Sequence, residues 1–532
     1  MRVALGQINT TVGDLAGNTE KMVTFAGRAA ERGADLIVFP ELSVTGYPPR
    51  DLVEKPSFVL DSEAALLRLA DRTAGLPLAL VAGYVGRSPA ETGNRAINCA
   101  ALLKSGQVQF RQTKILLPNY DVFDEARYFV SGESQIPFLF EGQRLAIAIC
   151  EDAWNDKRFW RHRRYTRDPV EELIAQGGDF LININSSPYA AAKRQVRRDM
   201  VAAQARRHGV PVVWVNQVGG NDQLVFDGSS FAMDAQGNVV ASARSFDEDL
   251  VIFEQNENFS DECEAVYEAL VLGTRDYVRK CGFSKALIGL SGGIDSSLVA
   301  CIAVDALGKE NVTGISMPGP YSSPGSVTDA ETLARNLEIP MLSAPITDAY
   351  RCMAARMPKS PVTQENIQSR LRGVTMMAYS NDTGALVLTT GNKSEIAVGY
   401  CTLYGDMCGG LSVISDVPKT MVYDLCHLRS GTIPQSVFEK PPSAELRPDQ
   451  KDTDSLPDYS TLDAILREYV ENYRTPAEIS DHLNLPLPLV EDIAAKVDRN
   501  EYKRQQAAPG LKVTSKAFGI GRRFPIAQRY RS

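Results

Sequence analysis

The chain has 532 residues, too many for one ordinary hydrophobic core, so at least two domains are expected. Its 57 basic and 65 acidic residues give a net charge of -8, which gives no support to a nucleic-acid partner. Nine cysteines without a C-x-x-C pair and only four histidines argue against a zinc site or a disulfide framework. The thiols are therefore expected to be reduced. The sequence has no apolar run of membrane-span length and no signal-peptide core, so we expect a cytoplasmic protein without a membrane partner.

The first part of the chain, residues 1–245, alternates short apolar runs with helical segments. The runs indicate strands buried on both faces: "DLIVFPE", "LALVAGYVG", "RLAIAICED", "DFLININSS" and "VPVVWVNQV". Residues 18–34 and 193–209 place apolar side chains at helical spacing and carry a glycine near the end, as helices do. The pattern predicts an α/β unit.

The acidic segment 246–262, "FDEDLVIFEQNENFSDE", shows little periodicity and predicts a linker. Beyond it the alternation restarts, with a helix to residue 281, strands at 286–290, 312–317 and 385–390, and helices from 295 and over 326–337. This order predicts a doubly wound parallel sheet. The proline-rich stretch 438–460 is either a mobile substrate loop or a surface excursion.

A glycine-rich turn follows the first strand of the second unit, in "ALIGLSGGIDSSLVA" (286–300). A helix N-terminus preceded by glycines presents backbone N–H groups to an anion, so this turn suits a phosphate. The lysine of the ATPase loop, G-x-x-x-x-G-K-[ST], is absent, and Asp295 is available for Mg²⁺. The loop therefore favours a reaction that releases pyrophosphate and AMP over transfer of the terminal phosphoryl group. A strand-to-helix turn without a ligand is the alternative.

The sequence "SGGIDSS" resembles the pyrophosphate loop of the ATP pyrophosphatases, which adenylate a carbonyl oxygen before a nucleophile displaces AMP. More narrowly, "VTGISMPGPYSSPGSVTDAETLARNL" and "LVLTTGNKSEIAVGYCTLYGD" resemble the NAD synthetases, which convert deamido-NAD to NAD. The resemblance implies a Rossmann-like ATP pyrophosphatase domain over residues 263–532, with ATP and Mg²⁺. It also implies a homo-oligomer in which the synthetase domains dimerise.

The resemblance to NAD synthetases further implies three sets of site residues. ATP would lie on Gly289, Leu290, Ser291, Gly292, Gly293, Ile294, Asp295, Ser296 and Thr390. Magnesium would lie on Asp295 and Glu395, and deamido-NAD near Asn366, Glu395 and Lys503.

Position in the chain gives Glu395 independent support, because it lies five residues past a strand-ending Thr390, at the sheet edge where ligands gather. An acid at a helix start, favoured by the macrodipole, is the alternative for Glu395. One departure from the family is Leu403, which stands where the short, ammonia-using members carry a lysine; that contact is not carried over. Lys419 and Ser443 are weaker candidates for ATP contact.

An amide-forming synthetase needs a nitrogen donor, and the first domain contains candidate residues for releasing ammonia from an amide. Cys150 ends the strand in "RLAIAICEDAW", where α/β enzymes present a nucleophile, although a buried structural thiol is the commoner role. Glu41 follows the strand in "LIVFPELSVTGYP", and Lys114 precedes a loop in "RQTKILLPNYDVFDEARYF". In this order the three motifs resemble the Glu-Lys-Cys triad of the nitrilase superfamily. That implies an amidase with an α-β-β-α sandwich over residues 1–245.

Each triad residue has a physical role in glutamine hydrolysis. Glu41 would act as general base, and Lys114 would favour the thiolate and stabilise the oxyanion. Cys150 would attack the amide carbon, releasing ammonia. Glu151 and Asp152 would oppose thiolate formation, so Lys114 and Glu41 would have to outweigh them.

The resemblance to glutamine-dependent NAD synthetases also implies that L-glutamine binds to Tyr120, Ser187 and Lys193. Lys193 begins a basic helix, so a solvated face is its alternative. Glu125 is a candidate for orienting the triad. The basic cluster at 158–167 is interpreted as a solvated loop or a subunit contact.

The favoured hypothesis is one enzyme with two active sites, an amidase that makes ammonia and a synthetase that consumes it. A hydrolase joined to a non-catalytic nucleotide sensor is the second hypothesis, and a sensor has no need of two magnesium carboxylates. A ligase acting on a purine nucleotide or tRNA is the third. The acidic charge disfavours tRNA, and "TTGNKSE" favours deamido-NAD.

Overall fold

The structure, a computed structural model, describes residues 1–89, 92–252 and 261–529. It divides into two compact units, Met1–Asp261 and Glu262–Ser532. Part of the predicted linker belongs to the first unit, because Asp249–Ile252 forms a strand paired antiparallel with Val3–Gln7. Residues 253–260 of that segment lie outside the described part.

In its described residues, the first unit contains fourteen strands and four α-helices. In chain order the strands are β1 (Val3–Gln7), β2 (Leu36–Val38), β3 (Ala79–Arg87), β4 (Ala96–Lys104), β5 (Gln107–Thr113), β6 (Phe138–Phe140), β7 (Gln143–Ile149), β8 (Phe180–Asn185), β9 (Val212–Asn216), β10 (Val218–Asn221), β11 (Leu224–Asp227), β12 (Phe231–Met233), β13 (Val239–Ser242) and β14 (Asp249–Ile252). The helices are α1 (Leu15–Glu31), α2 (Pro56–Arg72), α3 (Pro169–Ala175) and α4 (Lys193–His208).

Two six-stranded sheets form the centre of this unit, in the orders β14-β1-β2-β3-β4-β5 and β13-β12-β9-β8-β7-β6. Their inner faces share one core, in which Val3 and Val81 join Ile147 and Val213. Helices α1 and α2 pack on the outer face of the first sheet, and α3 and α4 on the outer face of the second. The layers are therefore α-β-β-α, and the predicted sandwich is confirmed.

Local signals explain where the predicted helices begin and end. Helix α1 begins three residues before the predicted 18–34 because Asp14 caps it, accepting a hydrogen bond from Gly17 N at 2.8 Å. Helix α4 ends before Gly209, because the φ of Gly209 is 66°. This value lies in the left-handed region, which glycine adopts at low cost. The start of α1 and the end of α4 thus follow from residues that are visible in the sequence.

The second unit contains one sheet and a larger number of helices. Its strands are β15 (Ala286–Gly289), β16 (Val312–Ser316), β17 (Met341–Ser343), β18 (Leu386–Thr389) and β19 (Leu411–Ser412). Its helices are α5 (Glu262–Lys280), α6 (Ile294–Leu307), α7 (Pro324–Asn336), α8 (Thr347–Arg356), α9 (Pro361–Thr383), α10 (Lys393–Val398), α11 (Lys419–His427), α12 (Gln435–Glu439), α13 (Tyr459–Leu466), α14 (Pro476–Leu483), α15 (Leu487–Arg499) and α16 (Glu501–Arg504).

The sheet of the second unit has the order β17-β16-β15-β18-β19, and every neighbouring pair is parallel. The chain moves outward from β15 to β17 and then returns to the other side of β15 with β18. The order reverses between β15 and β18, and ligands of open α/β sheets bind at such a point. The predicted doubly wound sheet is confirmed. Over residues 1–89, 92–252 and 261–529, no helix combines the length and apolar character that crossing a membrane requires.

Candidate functional sites

Cys150 directly follows β7 and opens a short 3-10 turn, Cys150–Ala153. Its φ is 45°, a left-handed conformation that is uncommon for a residue with a side chain and is often found at functional sites. Only 4% of the residue is exposed. The turn thus holds a buried thiol at the carboxyl end of a central strand, which fits the predicted nucleophile.

Lys114, one residue past β5, lies between two carboxylates. Its Nζ donates to Glu41 Oε1 at 2.7 Å and to Glu125 Oε1 at 2.9 Å. Glu41 Oε1 also accepts from Asn98 Nδ2 at 2.7 Å, and Glu41 Oε2 accepts from Ser186 N at 3.0 Å. Glu41, the candidate base, follows β2, and its partners lie on β4 and just past β5 and β8. These contacts fix the orientation of its carboxylate.

The charges of this group act directly on the candidate nucleophile. Burial raises the pKa of the Cys150 thiol well above its usual range, the charge of Glu41 raises it further, and Lys114 lowers it. Burial opposes the charge on Lys114, but Glu125 and Glu41 outweigh it and raise the pKa of the ammonium. The resting thiol is therefore protonated. Lys114 does not by itself produce the thiolate, and attack by Cys150 needs a base.

Asp152 ties the lysine segment to the cysteine turn. Its Oδ1 accepts from Ile115 N at 3.1 Å and from Leu116 N at 2.8 Å, and its Oδ2 accepts from Gln135 Nε2 at 2.8 Å. Burial raises the pKa of Asp152 to about 6. The sequence suggested only that Asp152 opposes the thiolate, whereas its contacts show that it positions the chain beside Lys114.

Two of the three residues predicted to bind glutamine interact with Glu151, the residue after Cys150. The Tyr120 hydroxyl lies 3.0 Å from both Glu151 carboxylate oxygens. Lys193 donates to Pro188 O at 3.0 Å, and its charge also lowers the pKa of Glu151, which burial raises. Ser187 is buried beside the carboxyl end of β8, and its N–H donates to Asn216 Oδ1 at 2.8 Å. The structure therefore places Tyr120 and Lys193 around one buried carboxylate.

Part of the basic cluster 158–167 belongs to this site, which the sequence interpretation missed. The Arg164 guanidinium lies 3.9 Å from the centre of the Tyr120 ring, and Tyr165 hydrogen-bonds Glu151. Asn155 holds the segment by donating to Tyr165 O at 2.9 Å. The sequence of this cluster shows aromatic residues among arginines. That pattern alone does not indicate which residues they contact.

A cavity of about 530 Å³ opens at the carboxyl ends of β15, β16 and β18 in the second unit. Eleven of the twelve residues predicted to bind ATP, magnesium or deamido-NAD line it: Gly289, Leu290, Ser291, Gly293, Ile294, Asp295, Ser296, Asn366, Thr390, Glu395 and Lys503. Gly292 is not a lining residue, because its Cα faces Ser326: a Cβ there would lie 2.1 Å from Ser326 O.

The glycine loop is held by its own serines. Ser291 Oγ accepts from Gly293 N at 3.2 Å and lies 3.1 Å from Ser296 Oγ. Gly293 is the N-cap of α6, so the first turn of a fourteen-residue helix begins at the cavity. Backbone N–H groups and hydroxyls at such a helix start suit the phosphates of a nucleotide.

The two predicted magnesium carboxylates lie close together and are joined through Asn392. Asn392 donates through Nδ2 to Asp295 Oδ1 at 2.9 Å, and its backbone N donates to Glu395 Oε2 at 3.3 Å. Burial, and then the charge of Asp295, raise the pKa of Glu395 to about 8. Glu395 does cap α10, as its alternative interpretation suggested, but the shared negative charge also favours a cation.

Lys419 supplies a resident positive charge at the carboxylate pair. Its ammonium hydrogen-bonds Asp295 and lies 3.8 Å from Glu395 Oε1. Among the described residues, no group of three or more His, Cys, Asp or Glu side chains could hold a metal alone. Two carboxylate oxygens, completed by phosphate oxygens and water, fit the usual environment of Mg²⁺ in a nucleotide site.

The residues predicted to bind the dinucleotide support the segment that contains Leu403. Lys503 Nζ donates to Gly399 O at 2.7 Å and to Cys401 O at 2.8 Å. Asn366 Oδ1 accepts from the Thr402 hydroxyl at 2.8 Å. Both side chains line the cavity while holding this loop in place.

The stretch 438–460 forms a wall of the cavity. Ser443, Glu445 and Asp452 line it, and Glu445 Oε1 accepts from the Ser326 hydroxyl at 2.7 Å. Of the two interpretations of this stretch, its position supports the substrate loop.

Two family models match the chain, Carbon-nitrogen hydrolase over residues 2–258 and NAD synthase over residues 266–507. The chain is 47% identical to the glutamine-dependent NAD(+) synthetase of Synechocystis sp. over 99% of both chains. It is 40% identical to that of Thermotoga maritima, over 100% of this chain and 99% of the relative.

Solved structures show the same likeness. The glutamine-dependent NAD+ synthetase of Acinetobacter baumannii in complex with ADP is 39% identical, with a TM-score of 0.76 over 99% of this chain and 98% of that one. The Cytophaga hutchinsonii enzyme, only 20% identical, shares the fold with a TM-score of 0.85. Both halves, in the same order and over their full length, match one kind of enzyme, and the chain therefore belongs to the glutamine-dependent NAD(+) synthetase family.

Proposed function

We propose that the protein amidates deamido-NAD to NAD with ATP, releasing AMP and pyrophosphate, and takes the nitrogen from L-glutamine. The observation that carries this proposal is the presence of two sites in one chain. Lys114 lies between Glu41 and Glu125 beside a buried Cys150, and a lysine-free glycine loop opens onto the Asp295 and Glu395 pair. The first suits amide hydrolysis and the second suits adenylation.

In the first unit, Glu41 takes the thiol proton as the sulfur attacks the glutamine amide carbon. This coupling is needed because the resting thiol holds its proton. Lys114 and the backbone N–H that follows Cys150 stabilise the oxyanion of the tetrahedral intermediate. Ammonia leaves, and Glu41 then activates the water that hydrolyses the thioester.

The polar groups around Glu151 recognise the amino-acid end of glutamine. Lys193 pairs with the α-carboxylate, and Glu151, oriented by Tyr120, accepts from the α-ammonium. Ser187 provides a further polar contact beside the carboxyl end of β8. A buried carboxylate facing a lysine favours a zwitterion over a simple amide.

In the second unit, the glycine loop and Thr390 bind ATP, and Asn366, Glu395 and Lys503 bind deamido-NAD. The Acinetobacter baumannii relative was solved in complex with ADP, which supports binding of an adenine nucleotide by this chain. Magnesium, when bound to Asp295 and Glu395, neutralises the charge that develops on the pyrophosphate. The nicotinate carboxylate attacks the α-phosphorus, pyrophosphate leaves, and ammonia then displaces AMP.

The proposal also includes a cytoplasmic location and a homo-oligomer formed through the second units. All nine cysteines are free thiols, which suits a reducing compartment. Val362 and Val374 on α9 are 65% and 66% exposed, apolar surface that a second copy would cover. Light scattering of the purified protein measures the oligomeric state.

The decisive experiment incubates the protein with ATP, Mg²⁺, L-glutamine and deamido-NAD and measures the products. We expect NAD, AMP, pyrophosphate and glutamate in equal amounts. Formation of ADP in place of AMP would overturn the adenylation step. A reaction without Mg²⁺ tests whether synthesis requires the metal. NAD synthesis that continues in the presence of a chelator would show that Mg²⁺ has no part in the reaction.

A further inference from the structure

The two carboxylate oxygens of Glu41 have different partners. Oε1 accepts two hydrogen bonds, from Lys114 Nζ at 2.7 Å and from Asn98 Nδ2 at 2.7 Å. Among the described residues, Oε2 accepts a hydrogen bond only from Ser186 N, at 3.0 Å. Each oxygen of an ionised carboxylate has about two acceptor positions. Oε1 is therefore filled, and Oε2 keeps one position open.

Asn98 contacts both the candidate base and the lysine segment. It lies on β4, pairs with Val85 of β3 and exposes none of its surface to solvent. Its side chain donates to Glu41, and its backbone carbonyl accepts from Lys114 N at 2.9 Å. The charge of Glu41 fixes the orientation of the amide group, because the amide oxygen in the place of Nδ2 would repel the carboxylate. Asn98 thus connects Glu41 to Lys114 from a strand in the interior of the sheet.

Packing alone does not explain an asparagine at position 98. Asn98 Oδ1 is buried and has no hydrogen-bond partner among the described residues. A buried polar oxygen without a donor lowers stability, and an apolar side chain of similar size would avoid that cost. The hydrogen bond that the Asn98 side chain makes goes to Glu41. The function of the asparagine therefore lies in how it acts on that carboxylate.

We propose that Asn98 is a positioning residue: together with Lys114 it fills Oε1 of Glu41, and this leaves Oε2 as the oxygen that carries the proton. This inference rests on the proposed function. As Cys150 Sγ forms the C–S bond to the amide carbon, Oε2 takes the thiol proton. The C–N bond then breaks, and Oε2 gives that proton to the leaving nitrogen, which departs as ammonia. Without Asn98, Oε1 also has an open position, and the carboxylate is held less firmly.

The first test compares Asn98→Leu with Asn18→Leu in the full chain. Asn18 is another buried asparagine of the first unit, but its side chain bonds only backbone atoms, those of Thr11 and Val44. We expect Asn98→Leu to lower kcat for glutamine hydrolysis about tenfold or more, because a hydrogen bond to a charged group is lost. The KM for glutamine should stay within about twofold, since the groups proposed to bind its amino-acid end are unchanged.

Asn18→Leu should keep kcat within about twofold, although it also removes hydrogen bonds from the interior. An equal fall of kcat in the two variants would point to general damage from a buried leucine and would overturn the inference. An unchanged kcat in Asn98→Leu would overturn it as well. If Asn98→Leu does not fold, the smaller Asn98→Ala replaces it, with the same expected fall in kcat.

A double-mutant cycle separates positioning from a merely structural role. The effect of Asn98→Leu is measured in the parent and in Glu41→Gln, with a γ-ester of glutamate whose better leaving group keeps the slow variants measurable. If Asn98 acts through Glu41, its loss should change the rate by no more than about twofold once Glu41 is replaced. A merely structural role would lower the rate by the same factor in both backgrounds, and that result would contradict the inference.

A crystal structure of Cys150→Ala with L-glutamine identifies the oxygen itself, because this variant cannot form the thioester. We expect the amide nitrogen of glutamine within hydrogen-bond distance of Glu41 Oε2, the oxygen that Ser186 N contacts. An amide nitrogen bonded to Oε1, with Asn98 displaced from it, would overturn the assignment. Failure of the parent protein to hydrolyse glutamine would instead contradict the proposed function.

Discussion

Lys114 Nζ lies 2.7 Å from Glu41 Oε1, and neither side chain exposes any surface to solvent. The same ammonium lies 2.8 Å from Glu125 Oε2, so one buried positive charge faces two buried carboxylates. Removal of one partner from such a group leaves an uncompensated buried charge, which costs far more than the net value of the pair. The proposed catalysis and the stability of the first unit therefore involve the same lysine.

We expect Lys114→Met to abolish glutamine hydrolysis and to lower the free energy of unfolding of the first unit by about 3–5 kcal/mol at pH 8. Burial, opposed by Lys114, raises the pKa of Glu125 to about 7, and without the lysine that carboxyl takes up a proton still more readily. Because a protonated Glu125 needs no counter-ion, the loss should shrink at pH 5. Urea denaturation at the two pH values measures it.

The double variant Lys114→Met with Glu125→Gln is the control. It removes one of the two orphaned carboxylates, so it should regain part of the stability at pH 8 without regaining hydrolysis. An equal loss of stability at pH 5 and pH 8 would show that packing of the lysine, and not its charge, is responsible.

We expect Cys150→Ala to abolish NAD synthesis from glutamine and to leave synthesis from ammonium chloride within about twofold, since only the thioester step is lost. The exposed Cys281 provides the control, and Cys281→Ala should keep both activities. Loss of both activities in Cys150→Ala would mean that the two reactions do not run separately.

The thiol chemistry of Cys150 gives a prediction that needs no substrate. Burial and the charge of Glu41 raise the pKa of the thiol well above its usual range, so the thiolate is scarce at neutral pH. Iodoacetamide should label Cys150 far more slowly at pH 7 than the exposed Cys352, and faster as the pH rises. Mass spectrometry of the two peptides measures both rates. Rapid labelling of Cys150 at pH 7 would indicate a resting thiolate.

The sequence predicted the residues that follow strands much better than it predicted contacts between distant segments. Cys150 and Glu41 lie at or just past the ends of apolar strands, and the resemblance of their motifs to the nitrilase superfamily identified them as site residues. Tyr165 was missed because its contact with Glu151 depends on the path of a loop that has no periodic pattern. Asp249–Ile252 was missed as a strand because it is short, sits in acidic surroundings and pairs with the distant β1.

The carboxylate pair of the second unit gives a prediction for stability against pH. Burial, and then Asp295, raise the pKa of Glu395 to about 8, above its ordinary value of 4.5. The folded state therefore holds a proton that the unfolded chain has lost, and stability falls as the pH rises from about 5 to 8. Glu395→Gln should flatten this fall. Thermal melting of the second unit at several pH values, without nucleotide or magnesium, measures this fall. If Glu395→Gln leaves the dependence of stability on pH unchanged, protonation of Glu395 is not its cause.

Gly292 gives the sharpest test of the phosphate loop. Its φ is 73°, and an added Cβ would lie 2.1 Å from Ser326 O and 2.7 Å from Ser326 C, which are backbone atoms that cannot turn away. We expect Gly292→Ala to shift the loop away from α7 and to lower the rate of pyrophosphate exchange at least about tenfold.

Gly384 is the matched control for Gly292. Its φ of 66° is as strained for alanine, but an added Cβ would meet nothing within 4 Å. Gly384→Ala should therefore cost about 1 kcal/mol of stability from backbone strain and leave the exchange rate unchanged. If both variants lose exchange equally, the left-handed conformation alone is responsible. If Gly292→Ala keeps full exchange, close packing against Ser326 is not what shapes the phosphate loop.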